Sequence, residues 1–287
     1  MATGQIVKII SNDYFVNKDG SLIVCKARGK FKNDSVSLQV GDYVEFDLEK
    51  HYITSVLARK NHLSRPNVAN VDQAFLLTSL KSPDFDTNLM DKLLCVCHLN
   101  AIEPVICLSK KDLLTSSEWK SLKKIIQYYK KLGYKVLFNK NLSKLKKLLK
   151  NKTTVVTGQT GSGKSSLMNS LDPSLNFDTN EISKALGRGK HTTRYVTLVS
   201  MYGGKIVDTP GFSNIDLSSY SVDAIKESFK EFKYYQCPYK DCRHLNEDNC
   251  TVKKQVAAGK ILATRYENYC KIIKGRDSRW NWYQLHF

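Results

Sequence analysis

The sequence has no hydrophobic run of membrane-spanning length, and its first residues do not resemble a secretory signal. A membrane-crossing helix needs about 20 consecutive apolar residues, and the start Met1-Ala2-Thr3-Gly4-Gln5 is not a signal peptide. We therefore expect a cytoplasmic protein with no membrane partner. Without a secretory signal, the eight cysteines argue against a disulfide scaffold. The 287 residues leave room for two or three domains.

Acidic residues are scarce relative to basic ones. The chain has 27 Asp and Glu against 45 Lys and Arg, a formal charge of +18. An excess of this size favours an extended polyanion as partner, and nucleic acid is the default candidate. A general lysine bias of the source is the alternative that composition leaves open.

A glycine-rich segment in the middle of the chain matches the phosphate-binding pattern G-x-x-x-x-G-K-[ST]. A β-branched run precedes it and a helical pattern follows, which is the order that the motif requires. Backbone N–H groups of such a loop wrap phosphates, Lys164 neutralises the outer ones and Ser165 ligates Mg²⁺. A Gly/Ser turn beside a chance lysine is the alternative. The predicted phosphate-binding residues are Gly158, Gln159, Thr160, Gly161, Ser162, Gly163, Lys164, Ser165 and Ser166.

A second segment, residues 205–211, has the form of a strand that ends in D-x-x-G. Asp208 would hold Mg²⁺ through water, and the Gly211 N–H would sense the γ-phosphate. Asp, Pro and Gly are ordinary turn formers, so this segment alone is weak evidence. The phosphate loop upstream of it strengthens the prediction.

A third segment, residues 105–112, is an apolar strand followed by a variant of the guanine signature [NT]-K-x-D. Its four signature residues are Ser109, Lys110, Lys111 and Asp112. Asp112 would accept hydrogen bonds from two guanine nitrogens, which adenine cannot supply, and Lys110 would cover one face of the base. Ser109 replaces the usual Asn or Thr and reaches less far. A charged turn leading into a helix is the alternative.

The order of these segments is inverted. In ordinary GTPases the base-reading segment follows the phosphate loop and the D-x-x-G, whereas here it precedes both. We infer a circular permutation, which is physically tolerable because domain termini often lie close together at the surface.

Four metal-ligating side chains lie close together near the C-terminus, in the pattern C-x₄-C-x-H-x₅-C. Three thiolates and one imidazole suit a closed tetrahedral Zn²⁺ site, and four protein ligands leave no open position for catalysis. We therefore predict one structural zinc ion; chance clustering or a reactive thiol site is the alternative. The ligands are Cys237, Cys242, His244 and Cys250.

Local patterns predict three units. Residues 1–64 contain short β-rich runs separated by turn signals, typical of an OB-fold or an SH3-like barrel. From residue 65 strands alternate with helices, as expected for a mostly parallel sheet covered on both faces. One helix shows a capping box at Thr115 and Glu118 and a stop at Gly133.

The order of these motifs resembles the RsgA (YjeQ/YloQ) family of circularly permuted, ribosome-associated GTPases, over nearly the whole chain. Residues 59–73 resemble the family's junction between barrel and GTPase domain, and residues 187–194 its switch I. The resemblance implies an OB-fold at 1–64, a permuted GTPase domain at 65–220 and a mostly helical zinc domain at 221–287. It also implies GTP or GDP as ligand and the small ribosomal subunit with its rRNA as partner. We expect a monomer.

Phe212 follows the D-x-x-G where a Ras-like enzyme carries the glutamine that positions water, so slow unaided turnover is expected. His191 is the internal candidate for the catalytic role, because an imidazole orients water near neutral pH. An exposed loop histidine is the alternative. Thr192 or Thr193 would complete the Mg²⁺ shell in the GTP state.

Two other function classes stay open from sequence. One is a zinc-dependent rRNA-binding switch with little turnover, and the other is a P-loop ATPase or kinase, which Asp112 disfavours. The loop after the following strand reads Phe138-Asn139-Lys140 in place of the usual Ser-Ala that touches the guanine oxygen. The guanine contact of this loop therefore stays open, and its residues are not assigned to the site.

Overall fold

The computed structural model describes residues 1–27, 37–64, 66–173, 196–208 and 215–284. Its N-terminal part is a closed five-stranded barrel, which confirms the predicted OB-like fold. The strands pair in the order β1-β2-β3-β5-β4, and β4 returns to β1. Alternate residues point inward and form a small apolar core around Ile6, Val16 and Phe46. The strands are β1 Ala2–Ile10, β2 Asp13–Lys18, β3 Ser21–Ala27, β4 Tyr43–Asp47 and β5 Tyr52–Val56.

A short hairpin, β6 His62–Ser64 and β7 Asn67–Ala69, connects the barrel to the next unit. Arg59, just before it, donates two hydrogen bonds to the Asp42 carboxylate of the barrel, at 2.6 Å and 2.8 Å. The Asp42 side chain is fully buried, so this pair is shielded from solvent on the carboxylate side. The connection is therefore fixed by a bidentate ion pair and not only by the covalent chain.

The central unit is the predicted α/β sheet. The strand order is β10-β9-β8-β11-β13-β12, and all neighbours are parallel except β12 and β13. Separate apolar clusters cover the two faces. The elements are β8 Gln73–Ser79, α1 Thr87–Leu99, β9 Glu103–Ser109, α2 Ser116–Lys131, β10 Lys135–Phe138, α3 Leu142–Leu149, β11 Thr153–Gly158, α4 Lys164–Leu171, β12 Thr197–Met201 and β13 Gly204–Asp208.

Local sequence signals account for the bounds of α2. The Thr115 hydroxyl accepts from the Glu118 N–H and the Glu118 carboxylate accepts from the Thr115 N–H, so the predicted capping box is present. At the other end Gly133 takes a φ of +84°, which ends the helix without steric cost. The basic helix α3 buries Leu145 and Leu149 and leaves its lysines outward, as expected for a core-facing helix.

The C-terminal unit is helical, as predicted. It contains α5 Val222–Ser228, a 3₁₀ turn Lys230–Tyr234, α6 Thr251–Ala257 and α7 Ala263–Gln284. The buried apolar residues of this unit pack against Cys95 of α1, so the unit contacts the GTPase domain. Among the described residues, none of the helices combines the length and apolar character needed to cross a membrane.

One feature of the sheet was not predicted. Strand β12 pairs antiparallel with β1 of the barrel, with Lys8 opposite Thr197, so the barrel and the GTPase sheet form one continuous 11-stranded sheet. Val7 and Ile9 of β1 also pack against the core of the GTPase domain.

Candidate nucleotide site and metal centre

The predicted nucleotide segments meet at one edge of the sheet. Strands β8, β9, β10 and β11 are parallel neighbours, and their carboxyl ends therefore lie side by side. Gly158 pairs with Leu77, and Ser109 pairs with Ser79. Ligands of open α/β sheets bind outside this edge. Although the segments are permuted along the chain, they lie side by side at the edge of the sheet where open α/β folds bind ligands.

The glycine-rich loop curls around a lysine. Lys164, the first residue of α4, donates from Nζ to the carbonyls of Gly158 and Gln159, at 2.9 Å each. Gly161 and Gly163 take φ of +76° and +91°, which side chains rarely adopt. At Gly158 a Cβ would lie 1.8 Å from the Leu77 carbonyl oxygen, so only glycine fits against β8.

Ser109 joins the base-reading segment to the glycine-rich loop. Its hydroxyl is buried and lies 2.7 Å from the Ser162 carbonyl and 3.3 Å from the Thr78 carbonyl. The shorter side chain therefore still reaches the loop, because β9 and β11 are held one strand apart by β8. Sequence reasoning missed this contact.

The two lysines of the segment have partners close by. Lys110 adopts a left-handed backbone conformation, and its Nζ donates to the Ser82 carbonyl in the loop after β8. The Lys111 ammonium lies 4.4 Å from the ring centroid of Trp119 and 5.2 Å from that of Phe138. Cation–π attraction thus holds Lys111 against the aromatic wall of the site.

Asp112 lies in a cleft of about 370 Å³ together with the predicted Lys111 and with three residues that we did not predict, Phe138, Asn139 and Lys140. The cleft is lined by Lys111, Asp112, Phe138, Asn139 and Lys140. Lys140 Nζ lies 3.3 Å from Asp112 Oδ1. A hydrogen bond from its own backbone N–H, and then the Lys140 ammonium, lower the pKa of Asp112 below its ordinary value. The parallel pairing of β9 and β10 brings the loops after these strands together, and this pairing has no local signal in the sequence.

The glycine-rich loop fits a bound nucleotide. Ser162 is fully buried, yet its Oγ has no hydrogen-bond partner among the described residues, and the same holds for the buried Oε1 of Gln159. Unpaired buried polar atoms are costly and rare in folded proteins. Their position at a lysine-containing loop before a helix N-terminus matches the chemistry of phosphate binding. Ser165 lies in the first turn of α4, where a hydroxyl would reach a phosphate-bound Mg²⁺.

Several predicted residues lie outside the described residues. They are His191, Thr192, Thr193, Gly211 and Phe212. Asp208 is the last residue of β13 and pairs with Thr197. Strand β13 is the neighbour of β11, so the backbone of Asp208 ends at the same edge as the glycine-rich loop.

The predicted metal ligands converge in the C-terminal unit. Their donor atoms lie within 4.8 Å of one another. The His244 Nδ1 is 3.5 Å, 3.3 Å and 3.4 Å from the sulfurs of Cys237, Cys242 and Cys250. The sulfurs of Cys237 and Cys250 are 3.7 Å apart. Tetrahedral zinc with bonds of about 2.3 Å to sulfur and about 2.0 Å to nitrogen separates its ligands by about 3.5–3.8 Å. The cluster is therefore compatible with a zinc ion.

Backbone N–H groups surround the three sulfurs. Cys237 receives hydrogen bonds from Thr251 and Val252, which open α6, and Cys250 receives one from Lys253. Donors of this kind stabilise thiolates, the form that binds a metal. The His244 ring packs edge-on against Phe232 at 5.3 Å, and its carbonyl accepts from the Tyr266 hydroxyl. The ligand set is thus supported on all sides by the core of the unit.

Models of known protein families match both the barrel and the GTPase unit of this chain. A model described as RsgA GTPase matches residues 56–218, and one described as RsgA N-terminal domain matches residues 3–53.

Relatives and solved structures match the chain over nearly its whole length. The chain is 41% identical to the small ribosomal subunit biogenesis GTPase RsgA 2 of Oceanobacillus iheyensis, covering 97% of this chain and 99% of the relative. It is also 41% identical to RsgA of Streptococcus mutans, with 96% of each covered. YjeQ from Thermotoga maritima superposes with a TM-score of 0.82 at 35% identity, over 96% of this chain and 98% of that one. The structure titled YloQ, a circularly permuted GTPase, gives 0.81 at 31% identity, over 97% and 96%. With the permuted motif order and the fold, these matches show that the chain is a GTP hydrolase and belongs to the RsgA family.

Proposed function

We propose that this chain is a cytoplasmic, monomeric GTPase that acts late in the maturation of the small ribosomal subunit. The observation that carries the proposal is the hydrogen bond between Ser109 and the Ser162 carbonyl. It joins a guanine-type signature to a phosphate-type loop although their order in the chain is reversed. Relatives named as small ribosomal subunit biogenesis GTPases support the choice of partner.

The assignment of the nucleotide follows the geometry of the sheet edge. The loop and helix start at residues 158–166 hold the phosphates through backbone N–H groups and Lys164. Asp112 accepts from the guanine N1–H and N2–H in the adjoining cleft, and Lys110 and Lys111 shape that cleft. Ser109 keeps the two parts at a fixed separation.

Catalysis is assigned to the segments that flank β12 and β13. Mg²⁺ held by Ser165, by Asp208 through water and by Thr192 or Thr193 would neutralise the phosphate charge. The Gly211 N–H would sense the γ-phosphate, and loss of this contact on hydrolysis would change the switch. His191 would orient the attacking water, because Phe212 replaces the glutamine of Ras-like enzymes.

The metal site is assigned to one structural zinc ion. Purified protein should contain about one zinc per chain, and Cys250→Ala should lose the metal and unfold the C-terminal unit at lower temperature. Cys270→Ala is the matched control, because Cys270 lies in the same unit but outside the ligand cluster. Metal analysis and thermal unfolding measure both. Full zinc retention by Cys250→Ala would contradict the assignment.

The barrel and the zinc unit are the proposed rRNA contacts. An OB-like barrel suits nucleic acid, and the net charge of +18 favours a polyanion. In the proposed cycle the GTP state docks both units on the small subunit, the ribosome stimulates hydrolysis, and hydrolysis weakens the contact. The GTPase domain links the two units, since it pairs with the barrel through β12 and packs on the zinc unit through α1.

Binding to purified small subunits tests the cycle. The protein with a non-hydrolysable GTP analogue should bind at least about tenfold more tightly than the protein with GDP, because a ligand shifts an equilibrium only through differential binding. Co-sedimentation at fixed salt measures both affinities. Equal affinities would contradict coupling between nucleotide and docking and would favour an rRNA-binding protein whose nucleotide site is not used as a switch.

A further inference from the structure

Helix α2 carries an exposed face of one charge sign. Residues 111–150 hold 12 lysines and 2 acidic residues, a net charge of +10, so this stretch supplies more than half of the +18 of the chain. A general lysine bias would spread the charge along the whole sequence instead of concentrating it. Five of these lysines lie in α2, and all five are exposed: Lys120, Lys123, Lys124, Lys130 and Lys131.

These five residues, the α2 lysine face, lie on one side of the helix. They are separated by three, four and seven residues, which are the spacings of a single helical face. On the opposite side Ile126 and Tyr129 are buried in the core of the GTPase domain. At 1.5 Å per residue the α2 lysine face is about 16 Å long. That length is enough to follow several consecutive phosphates of a nucleic-acid strand.

The charges of this face are not neutralised by neighbouring side chains. Within the described ranges none of the five lysines forms an ion pair. Glu118, the one carboxylate of α2, accepts from Lys81 instead. Lys120 lies three and four residues before Lys123 and Lys124, and like charges at these spacings destabilise a helix. An ordinary solvated face mixes both signs, whereas this face retains a repulsion that a bound polyanion would relieve.

The zinc unit extends the same basic surface. The Tyr128 hydroxyl of α2 has a hydrogen bond with the Leu262 backbone, and the exposed Lys260 lies two residues before Leu262. Just beyond the end of α2, the Lys230 ammonium of the zinc unit lies 4.5 Å from the ring centroid of Tyr134. Lysines of the two units therefore lie on both sides of the boundary between them.

We propose that the α2 lysine face, continued by Lys260, binds the phosphate backbone of RNA. The choice of RNA rests on the proposed function, which assigns small-subunit rRNA as the partner. The inference adds a surface of the GTPase domain itself to the barrel and the zinc unit. A lysine ammonium is a point charge without the planar fork of arginine, so this contact fixes position and reads no base sequence. Each phosphate that it neutralises releases counterions and makes binding more salt-dependent.

A triple variant, Lys123→Gln with Lys124→Gln and Lys131→Gln, tests the face. Glutamine has nearly the helix propensity of lysine, so α2 should form as before. Affinity for purified small subunits should fall at least about tenfold at fixed low salt, and the slope of log affinity against log salt should decrease by about two to three. Co-sedimentation over a salt series measures both. Circular dichroism and GTP turnover without subunits should be unchanged.

The control is a second triple variant that removes the same charge from the other face of the sheet. The helix α3 packs on the apolar cluster opposite to that of α2. Its variant changes three exposed lysines in and directly after α3 to glutamine, namely Lys144, Lys147 and Lys150. This variant should keep the wild-type slope to within about one. Both variants are also measured with a fluorescent RNA duplex of mixed sequence, on which the α2 variant should again lose more affinity than the α3 variant.

The two probes separate the inference from the proposed function. If wild-type protein binds small subunits and the two triple variants behave alike, the α2 lysine face is not a contact and the inference alone is refuted. Loss on small subunits without loss on the duplex would assign the face to a protein component and also overturn it. If wild-type protein does not bind small subunits but the duplex shows the loss specific to α2, the proposed partner is wrong and the RNA surface stands. Binding to neither probe refutes both.

Discussion

At the residue scale, the Ser109 hydroxyl joins the base-reading segment of the proposed nucleotide site to its glycine-rich loop. Ser109 is almost completely buried, and its bond to the Ser162 carbonyl crosses from the last residue of β9 to the loop after β11. Because a buried hydrogen bond of this kind contributes about 1 kcal/mol, its loss affects how firmly the site is preformed.

Ser109→Ala should weaken binding of GDP by about three- to tenfold while leaving the fold intact. The reason is that the base segment and the phosphate loop lose their direct connection, and the Ser162 carbonyl loses a donor. Titration of a fluorescent guanine nucleotide measures the effect. Ser121→Ala, an exposed serine on α2, is the control. Unchanged affinity in Ser109→Ala would show that β8 alone fixes the separation of the two loops.

Glu118, in the capping box of α2, makes a pH-dependent contribution to the stability of the fold. Hydrogen bonds from Lys81, and then from the backbone and hydroxyl of Thr115, lower the pKa of Glu118 to about 2 from an ordinary 4.5. A carboxyl whose pKa is lower in the folded state stabilises the fold above its unfolded pKa. That stabilisation is lost as the pH falls from 4.5 toward 2.

Glu118→Gln should therefore lower the urea midpoint near neutral pH, and the difference from the wild-type protein should shrink as the pH falls below 4.5. Parallel unfolding curves over this range measure the difference. Lys81 lies in the loop after β8, beside Ser82, so the pair also connects that loop to α2. A difference between the two proteins that does not vary with pH would contradict the assigned pKa.

At the scale of elements, a buried charge cluster fastens the zinc unit to the GTPase domain. Arg265 of α7 is 1% exposed and donates to Glu231 of the 3₁₀ turn and to Asp91 of α1, at 2.6 Å each. Asp91 also accepts from the Tyr129 hydroxyl of α2 at 2.6 Å. Burial, and then the Asp91 charge, raise the pKa of Tyr129 well above its ordinary value, so it remains a donor. The cluster therefore links helices α1, α2 and α7.

Arg265→Leu should lower the free energy of unfolding by about 3–5 kcal/mol, because it leaves the carboxylates of Asp91 and Glu231 buried without their cation. Denaturant unfolding followed by circular dichroism measures the loss. Lys260→Leu, at an exposed position shortly before α7, is the control and should change little. A loss of less than about 1 kcal/mol in Arg265→Leu would mean that water reaches the carboxylates and that the cluster does not fasten the units.

Local patterns sufficed for much of this architecture. The capping box indicated the start of α2, an apolar run indicated β9, a β-branched run indicated β11, and the Cys/His spacing indicated the cluster of Cys237, Cys242, His244 and Cys250. Contacts between distant segments left no local signal. A lone Arg265 in a helix has the sequence signature of a surface residue, and the pairing of Lys8 with Thr197 depends on the tertiary arrangement. The contact between Lys140 and Asp112 depends on the strand order, which the sequence does not state.

At the scale of the whole molecule, the GTPase domain holds its two neighbours at different places. The barrel contacts it through β1, next to β12, and Val196 and Ile215 join the same core as Val7 and Ile9. In the chain, Val196 follows the segment that carries His191, and Ile215 follows the segment that carries Gly211. The zinc unit contacts the GTPase domain through α1, where Arg265 donates to Asp91, and through α2, where the Arg265 guanidinium lies 5.5 Å from the centroid of the Tyr129 ring. The barrel and the zinc unit therefore contact different elements of the GTPase domain.

GTP hydrolysis by the purified protein, alone and with small ribosomal subunits, tests the central claim most directly. Slow turnover alone and a rise of at least about tenfold with small subunits, absent with large subunits, with ATP, or in Lys164→Ala, is the predicted result. Unchanged slow turnover despite tight binding to small subunits would contradict the account and identify a non-catalytic rRNA-binding switch.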